Sequence, residues 1–489
     1  MAHERFEITV CHGALDVSGF SLHWVTLHGL VVILGLGTYV FASHTLRQRR
    51  QPSAAIAWVI SLLLLPYIAL PLYLMFGNRK VVTDRRTQSG LAKLAEPQRE
   101  RNPAPGAGDL ASALGLSRAV AFDSLDIHQD GVQALKSLRA MITGARYSLD
   151  ICTFILGRDV LGHEIIESLI KRARDGVRVR LLIDGVGYYF GGRPNLARLR
   201  AAGAEVAWFV SPLRSALRGR TNLRNHRKMV LGDGHWLWCG GRNLAAEYFV
   251  GDQTSFRKKT AWIDLSFDLR GALAHQAQQR FDLDWHFATG GQPADSLVDG
   301  SVFAAPAAHG TPGSARLVAS GPDQIDDTIY TLLVSGCFTA RSRILIATPY
   351  FVPDQALMMA LTLAARRGIQ IDLVLPSTSN HALADIARAP ALRELASAGA
   401  HVWLVPDMFH AKAFLIDSDL ALVGSANLDE RSLFINYELM VAFYESQVVS
   451  EFAQWVESQR KLATRYLPTP AGLVRELVEG MVRWVAFQL

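Results

Sequence analysis

Two histidines head the same short pattern in a chain of 489 residues. His226 is followed by Lys228, Asp233, Gly240 and Asn243, and His410 by Lys412, Asp417, Gly424 and Asn427. Counted from each histidine, lysine falls at +2, aspartate at +7, glycine at +14 and asparagine at +17 in both copies. A lone His-x-Lys is common and would carry no inference; two copies in one register do. Imidazole, ammonium and carboxamide together suit a phosphodiester. Lysines neutralise the non-bridging oxygens, and asparagines donate to them as charge builds in the transition state. One imidazole can attack phosphorus, while the other protonates the departing alkoxide and later deprotonates an incoming hydroxyl. The first needs a neutral ring and the second a protonated one, a split that nearby lysines and carboxylates could set. A metal reading is poor, because lysine two residues from each histidine repels a cation. The four cysteines (Cys11, Cys152, Cys239 and Cys337) are far apart and form no CxxC pair. No metal and no cofactor are expected.

The spacing also says how the residues are held. Alternation along a strand puts His and Lys, two apart, on one face. Asp233-Gly and Asp417-Ser read as hairpin turns that send a return strand back alongside the first. That strand ends in glycine and brings Asn243 or Asn427 near the His/Lys face. The candidate catalytic set is therefore His226, Lys228, Asp233, His410, Lys412 and Asp417, with Asn243 and Asn427 binding substrate. The two aspartates look more like turn formers than catalysts.

The segments around each motif repeat one another. EIIESLIKRARDG, VRVRLLID, NLARLRAAG and AEVAWFV precede the first motif; ALMMALTLAARRG, IQIDLVLP, ALRELASAG and AHVWLVP precede the second in the same order. Apolar, β-branched strands alternating with 3.6-periodic helices indicate an α/β sheet in each half. The expected fold is two duplicated α/β halves forming one catalytic body, at 121–300 and 316–466, with GTPGSA at 310–315 between them.

Half of the residues are hydrophobic and only 19% are charged, against roughly 25% charged in an ordinary soluble domain. Disordered, collagen-like and disulfide-scaffold proteins are excluded. The net charge of +6 suits an anionic partner. Much of the apolar surplus lies at the N-terminus, where Val17–Leu46 and Ser53–Gly77 carry no Asp, Glu, Lys or Arg. About 20 such residues cross a bilayer core of ~30 Å. Residues 1–80 thus read as a membrane anchor with two transmembrane helices, about 22–44 and 54–76, Pro66 and Pro71 allowing a kinked or re-entrant second segment, and 81–120 as a linker. The flanking cations give orientation. Arg5, Arg79, Lys80, Arg85, Arg86 and Lys93 stand on the side of the body, and Arg47, Arg49 and Arg50 lie between the spans. Six against three places the body in the cytoplasm.

The paired motifs resemble the phospholipase D superfamily. Within it the chain looks like the bacterial cardiolipin synthases, through RRQPSAAIAW and LPLYLMFG, TNLRNHRKMV (221–230), TPYFVP (348–353), and GSANLDERS (424–432) followed by Asn436-Tyr-Glu438. The resemblance implies a multi-pass enzyme of the bacterial inner membrane that condenses two phosphatidylglycerols into cardiolipin and glycerol without metal. It implies His226 as nucleophile, through a covalent phosphohistidine, and His410 as acid and base. It makes Glu438, 28 residues after His410, the carboxylate that orients a histidine, and gives Asp264 that role for the first half. Gly241 stands where the superfamily usually has serine, as at Ser425.

Two further stretches bear on partners. Residues 211–228 hold Arg214, Arg218, Arg220, Arg224, His226, Arg227 and Lys228 with no acid, which suits contact with anionic lipid. Residues 467–489 read as an amphipathic helix that could lie in the bilayer interface or dock on the catalytic body. The competing functions are a phospholipase D-type hydrolase or a nuclease using water at the same site, and an inactive lipid-binding scaffold. Two apolar spans favour lipid over nucleic acid, and both complete motifs argue against a scaffold. Oligomeric state is not encoded legibly.

Overall fold

The computed structural model describes residues 17–45, 52–77, 107–210, 222–251, 260–290, 313–324 and 326–485. The chain divides into an N-terminal helical unit and a larger body. In the helical unit, α1 (Val17–Thr45), α2 (Pro52–Leu64) and α3 (Pro66–Phe76) contain no charged residue. Tyr73 is buried between Trp58 and Tyr39, at ring separations of 5.2 and 5.5 Å. Leu30, Ile33, Phe41, Leu64 and Ile68 are exposed. The second expected span is broken. Leu65 leaves helical geometry (φ −133°, ψ 53°), and Pro66 starts α3 at a position that needs no N–H donor. At ~1.5 Å per residue, α2 and α3 each reach about 20 Å or less, short of a ~30 Å bilayer core. Among the described residues no helix is long and apolar enough to cross a membrane. Along α1 the described side chains are those of residues 26–42. The cations used for orientation and most of the expected linker lie outside the described residues.

The body is one mixed sheet of fifteen strands. The first half contributes β1 (Val120–His128), β2 (Ser148–Thr153), β3 (Arg178–Asp184), β4 (Glu205–Phe209), β5 (Met229–Gly232), β6 (Trp236–Gly240) and β7 (Ser266–Gly271). The second contributes β8 (Gly313–Ser320), β9 (Arg343–Ala347), β11 (Gln370–Pro376), β12 (His401–Val405), β13 (Ala413–Ile416), β14 (Leu420–Gly424) and β16 (Glu438–Phe443), with β17 (Thr464–Arg465) at its outer edge. A separate parallel pair joins β10 (Phe351–Val352) to β15 (Leu428–Asp429).

Strand order is 4-3-2-5-6-7-1 in the first half and 12-11-9-13-14-16-8 in the second. The duplication seen in the sequence is thus a duplication of topology. The halves meet edge to edge where β1 and β8 run antiparallel, Val120 opposite Ala315 and Phe122 opposite Gly313. Aromatic rings pack this seam: Phe443 lies 6.0 Å from Phe122, 5.5 Å from Phe267 and 5.0 Å from Phe452. The inner parallel strands read as near-continuous apolar runs because helices cover them on both faces. Equivalent aspartates cap equivalent helices: Asp159 accepts from Gly162 N at the Val160–Arg174 helix, and Asp354 from Leu357 N at Gln355–Arg366.

Candidate active site

The first motif enters β5 antiparallel to β2, so His226 and Lys228 lie at the carboxyl end of the parallel strands, where open α/β sheets place their ligands. His410 and Lys412 enter β13 beside β9 in the same way. Each histidine is pinned by backbone from the opposite half. His226 N donates to Tyr437 O at 2.9 Å, and His410 N donates to Ile263 O at 2.6 Å.

The side chains cross as well. His226 Nδ1 lies 2.9 and 3.1 Å from the Glu438 carboxylate oxygens, and His410 Nδ1 lies 2.6 Å from Asp264 Oδ2. Read along the chain, Glu438 belongs with His410 and Asp264 with the first half; the structure exchanges them. The strand registers show that the carboxylates are counterparts. Gly240 pairs with Ser266 and Gly424 with Met440, and Asp264 and Glu438 each stand two residues before those partners. A carboxylate on Nδ1–H fixes the tautomer and leaves the Nε2 lone pair for chemistry.

The two environments differ in detail. Glu438 also accepts from Ser425 Oγ at 2.5 Å and from Asn436 Nδ2 at 3.3 Å. Phe154 meets the His226 ring edge-on at 5.3 Å. Tyr248 and Trp262 wall His410, each with a ring 5.3 Å away. Lys412 Nζ sits 2.8 and 3.0 Å from the His410 ring nitrogens and donates to His410 O, while Lys228 Nζ donates to His226 O at 2.6 Å.

Burial and mutual repulsion govern protonation. Burial pushes His410 down to about 3, and the Lys412 ammonium adds to the effect. Burial also lowers His226, with Glu438 opposing. Both lysines are lowered mainly by burial, Lys228 to about 8 and Lys412 to about 7. Burial alone would raise Glu438 and Asp264, but their histidine and lysine neighbours hold both below the usual carboxylate range. Burial thus disfavours the protonated form of both rings. A phosphodiester anion beside the two lysines favours their charged form.

Asp233 and Asp417 belong elsewhere. Both adopt positive φ, 52° and 50°, in the turns that leave β5 and β13 at the ends remote from the histidines. Asp233 accepts from the backbone N–H of Arg146, Tyr147 and Ser148, and Asp417 from Arg341, Ser342 and Arg343. Each fastens the start of a neighbouring strand, so their inclusion among catalytic residues is corrected to a turn-forming role. The asparagines flank the site with their amides partly engaged. Asn243 Oδ1 accepts from Ile155 N at 3.1 Å, and Asn427 hydrogen-bonds Asp429.

Arg227, counted among the cations of 211–228 that suit anionic lipid, faces inward instead. It is fully buried, paired with both Asp284 oxygens at 2.5 Å, and donates to the carbonyls of Glu438 and Ser320 at 3.1 Å. Period-two alternation turns it away from the His/Lys face, so it ties the halves together and is closed to lipid. Arg214, Arg218 and Arg220 lie outside the described residues. Asp184 was not singled out in the sequence. Its carboxylate accepts from Asn225 N at 2.9 Å and from Val186 and Gly187 N, fixing the approach to His226.

Gly241 has a steric reason. A Cβ there would stand 2.2 Å from Asp264 Oδ1, so the shorter carboxylate of the first half occupies the space that Ser425 fills beside Glu438. Gly241→Ser should shift Asp264 off His410 and lower turnover between about ten- and a hundredfold, the scale of a misplacement near 1 Å. Turnover and melting temperature measured together check this; unchanged turnover would show that Asp264 does not need that space.

The family model described as cardiolipin synthase, PLD-like domain, matches residues 138–285 and 338–460, and a phospholipase D-nuclease N-terminal model matches 33–78. Cardiolipin synthase A of Pseudomonas aeruginosa is 31% identical over 92% of this chain and 92% of its own. The major cardiolipin synthase of Bacillus subtilis is 31% identical over 89% of this chain and 94% of its own. The crystal structure of phosphatidylserine synthase from Haemophilus influenzae aligns with a TM-score of 0.54 and 14% identity, covering 76% of this chain and 97% of that one, a likeness of fold. Both motifs fall inside the matched residues, and the chain belongs to the cardiolipin synthase family of the phospholipase D superfamily.

Proposed function

We propose that the chain transfers the phosphatidyl group of one phosphatidylglycerol to a hydroxyl of a second, giving cardiolipin and glycerol. The observation that carries this reading is the crossed pairing of two histidines with two buried carboxylates around two lysines. His226 Nε2 attacks phosphorus, and the P–O bond to the first glycerol breaks as His410 protonates that oxygen. Glycerol leaves, and a phosphatidyl group remains on His226. His410 then takes the proton of the second lipid's hydroxyl, whose oxygen attacks phosphorus and releases His226. The tighter hold on Glu438, with Ser425 and Asn436 behind it, supports His226 as the ring kept in line for attack. Lys228, Lys412 and the amides of Asn243 and Asn427 carry the oxygens of the transition state.

Incubating the full chain with phosphatidylglycerol, and quantifying lipid products and free glycerol, tests the proposal. Cardiolipin equimolar with glycerol supports it; phosphatidic acid as the main product means that water is the acceptor. Because charge is met by lysine and amide, turnover should survive excess chelator. Loss on chelation with recovery on adding a divalent ion would overturn this mechanism.

The same reading places the enzyme in the bacterial inner membrane. Support comes from the uncharged stretches Val17–Leu46 and Ser53–Gly77, from the exposed Leu30, Ile33 and Phe41, and from the excess of cations flanking those stretches on the side of the body.

A further inference from the structure

The C-terminal helix Leu473–Val485 is docked the opposite way from an ordinary surface helix. Amphipathic helices usually bury their apolar stripe and expose charge. Here Glu479 is turned inward beside Val482, 3% exposed and held by both terminal guanidinium nitrogens of Arg393 on the helix Ala382–Ser397. Arg475 Nε donates to the same carboxylate at 2.8 Å. At ~100° per residue, Leu473, Leu477 and Met481 project from the side opposite Glu479. They are 87%, 67% and 66% exposed, and Val474 beside them is 78% exposed. A crevice of about 690 Å³ between the two helices, lined by Ile386, Ala389, Leu473, Val474 and Val478, continues the apolar surface.

The helix also stands beside the chemistry. Val482 packs on Val352 and Ala387. Val352 pairs with Asp429 in the short parallel ladder that starts one residue past Asn427. The apolar face is therefore borne at the carboxyl end of the second half, the end that holds His410.

We propose that this helix is a bilayer-docking element. Its apolar face enters the interfacial layer, its ion-paired face stays clamped to the body, and the second half's motif is thereby held at the level of the lipid phosphates. The inference rests on the lipid-substrate reading. A membrane is the occupant argued for because an exposed apolar face backed by the Arg393–Glu479 ion pair suits an interface between hydrocarbon and water, and because it adjoins a site proposed to act on phospholipid.

The test uses the full chain reconstituted in phosphatidylglycerol/phosphatidylcholine vesicles. A fluorophore is placed on Leu477→Cys in a Cys11→Ser background, where Cys152, Cys239 and Cys337 are buried. Quenchers on the lipid acyl chains should quench it strongly, and the same label on Lys461→Cys weakly. The triple variant Leu473→Asp, Leu477→Asp, Met481→Asp should turn over vesicle phosphatidylglycerol about tenfold or more slowly. Its turnover of a monomeric short-chain phosphatidylglycerol should be unchanged, which also shows that the fold is intact. Quenching at 477 no greater than at 461, or equal loss on both substrates, would overturn the docking role. So would protection at 477 that rises with protein concentration, which would mark a contact with a second copy. If the unaltered protein consumes neither form of the lipid, the substrate reading itself has failed.

Discussion

His226→Ala is expected to form no phosphatidyl-enzyme and to make no cardiolipin. His410→Ala keeps the attacking nitrogen but lacks the base that activates the second lipid's hydroxyl. It should react slowly with a substrate whose leaving group needs no protonation, then stall as an adduct on His226. General acid–base assistance is worth about 10²–10⁴-fold, so the first step should stay measurable with a good leaving group. Intact-protein mass after quenching, followed by peptide mapping in mild alkali where phosphohistidine survives, provides the measurement. An adduct on His410 in the His226→Ala protein would reverse the two roles.

The second large effect follows from the exchanged carboxylates. A glutamine at 438 can turn its amide N–H toward His226 Nδ1 and force the proton onto Nε2, the nitrogen that must attack. Glu438→Gln should therefore abolish the adduct on His226 and lower turnover by up to about 10⁴, the loss made by the same kind of change in the serine protease triad. Asp264→Asn should instead resemble His410→Ala, with the adduct formed and retained. Pairing within each half makes the reverse prediction, so adduct mass in these two variants separates the arrangements. An adduct that accumulates in Glu438→Gln and is missing from Asp264→Asn would rule out the crossed one.

Much of this was legible in the sequence because it depends on short-range geometry. Two-residue alternation puts His226 with Lys228 and His410 with Lys412, and positive φ at Asp233 and Asp417 is what a tight turn after a strand requires. The same alternation turns Arg227 the other way; counting cations along 211–228 hid that signal. The exchange of Glu438 and Asp264 had no local signal, since it depends on β1 meeting β8. Offsets along the chain also fail there, because Asp264 lies 38 residues after His226 and Glu438 lies 28 after His410. The amphipathic pattern of 467–489 was legible, but the ion pair of Arg393 with Glu479 and the packing of Val482 are what say which face of Leu473–Val485 is turned inward. The break at Leu65 follows from Pro66, the residue that allowed a kink in the second apolar run.

Duplication ordinarily leaves a spare, and one copy is then free to drift. The exchanged hydrogen bonds deny that freedom here. A change at Asp264 is felt at His410, 146 residues away, and a change at Glu438 at His226, 212 residues away. Damage in either copy disables the other's ring, so selection sees the pair as one locus of function. The copies can still diverge, but only by matched steps within a half, as glycine with the shorter aspartate and serine with the longer glutamate have done. A hybrid carrying two first halves would place Gly241 and Asp264 around both histidines. Whether it works depends on the reach of each carboxylate across the seam, a requirement that neither half carries alone.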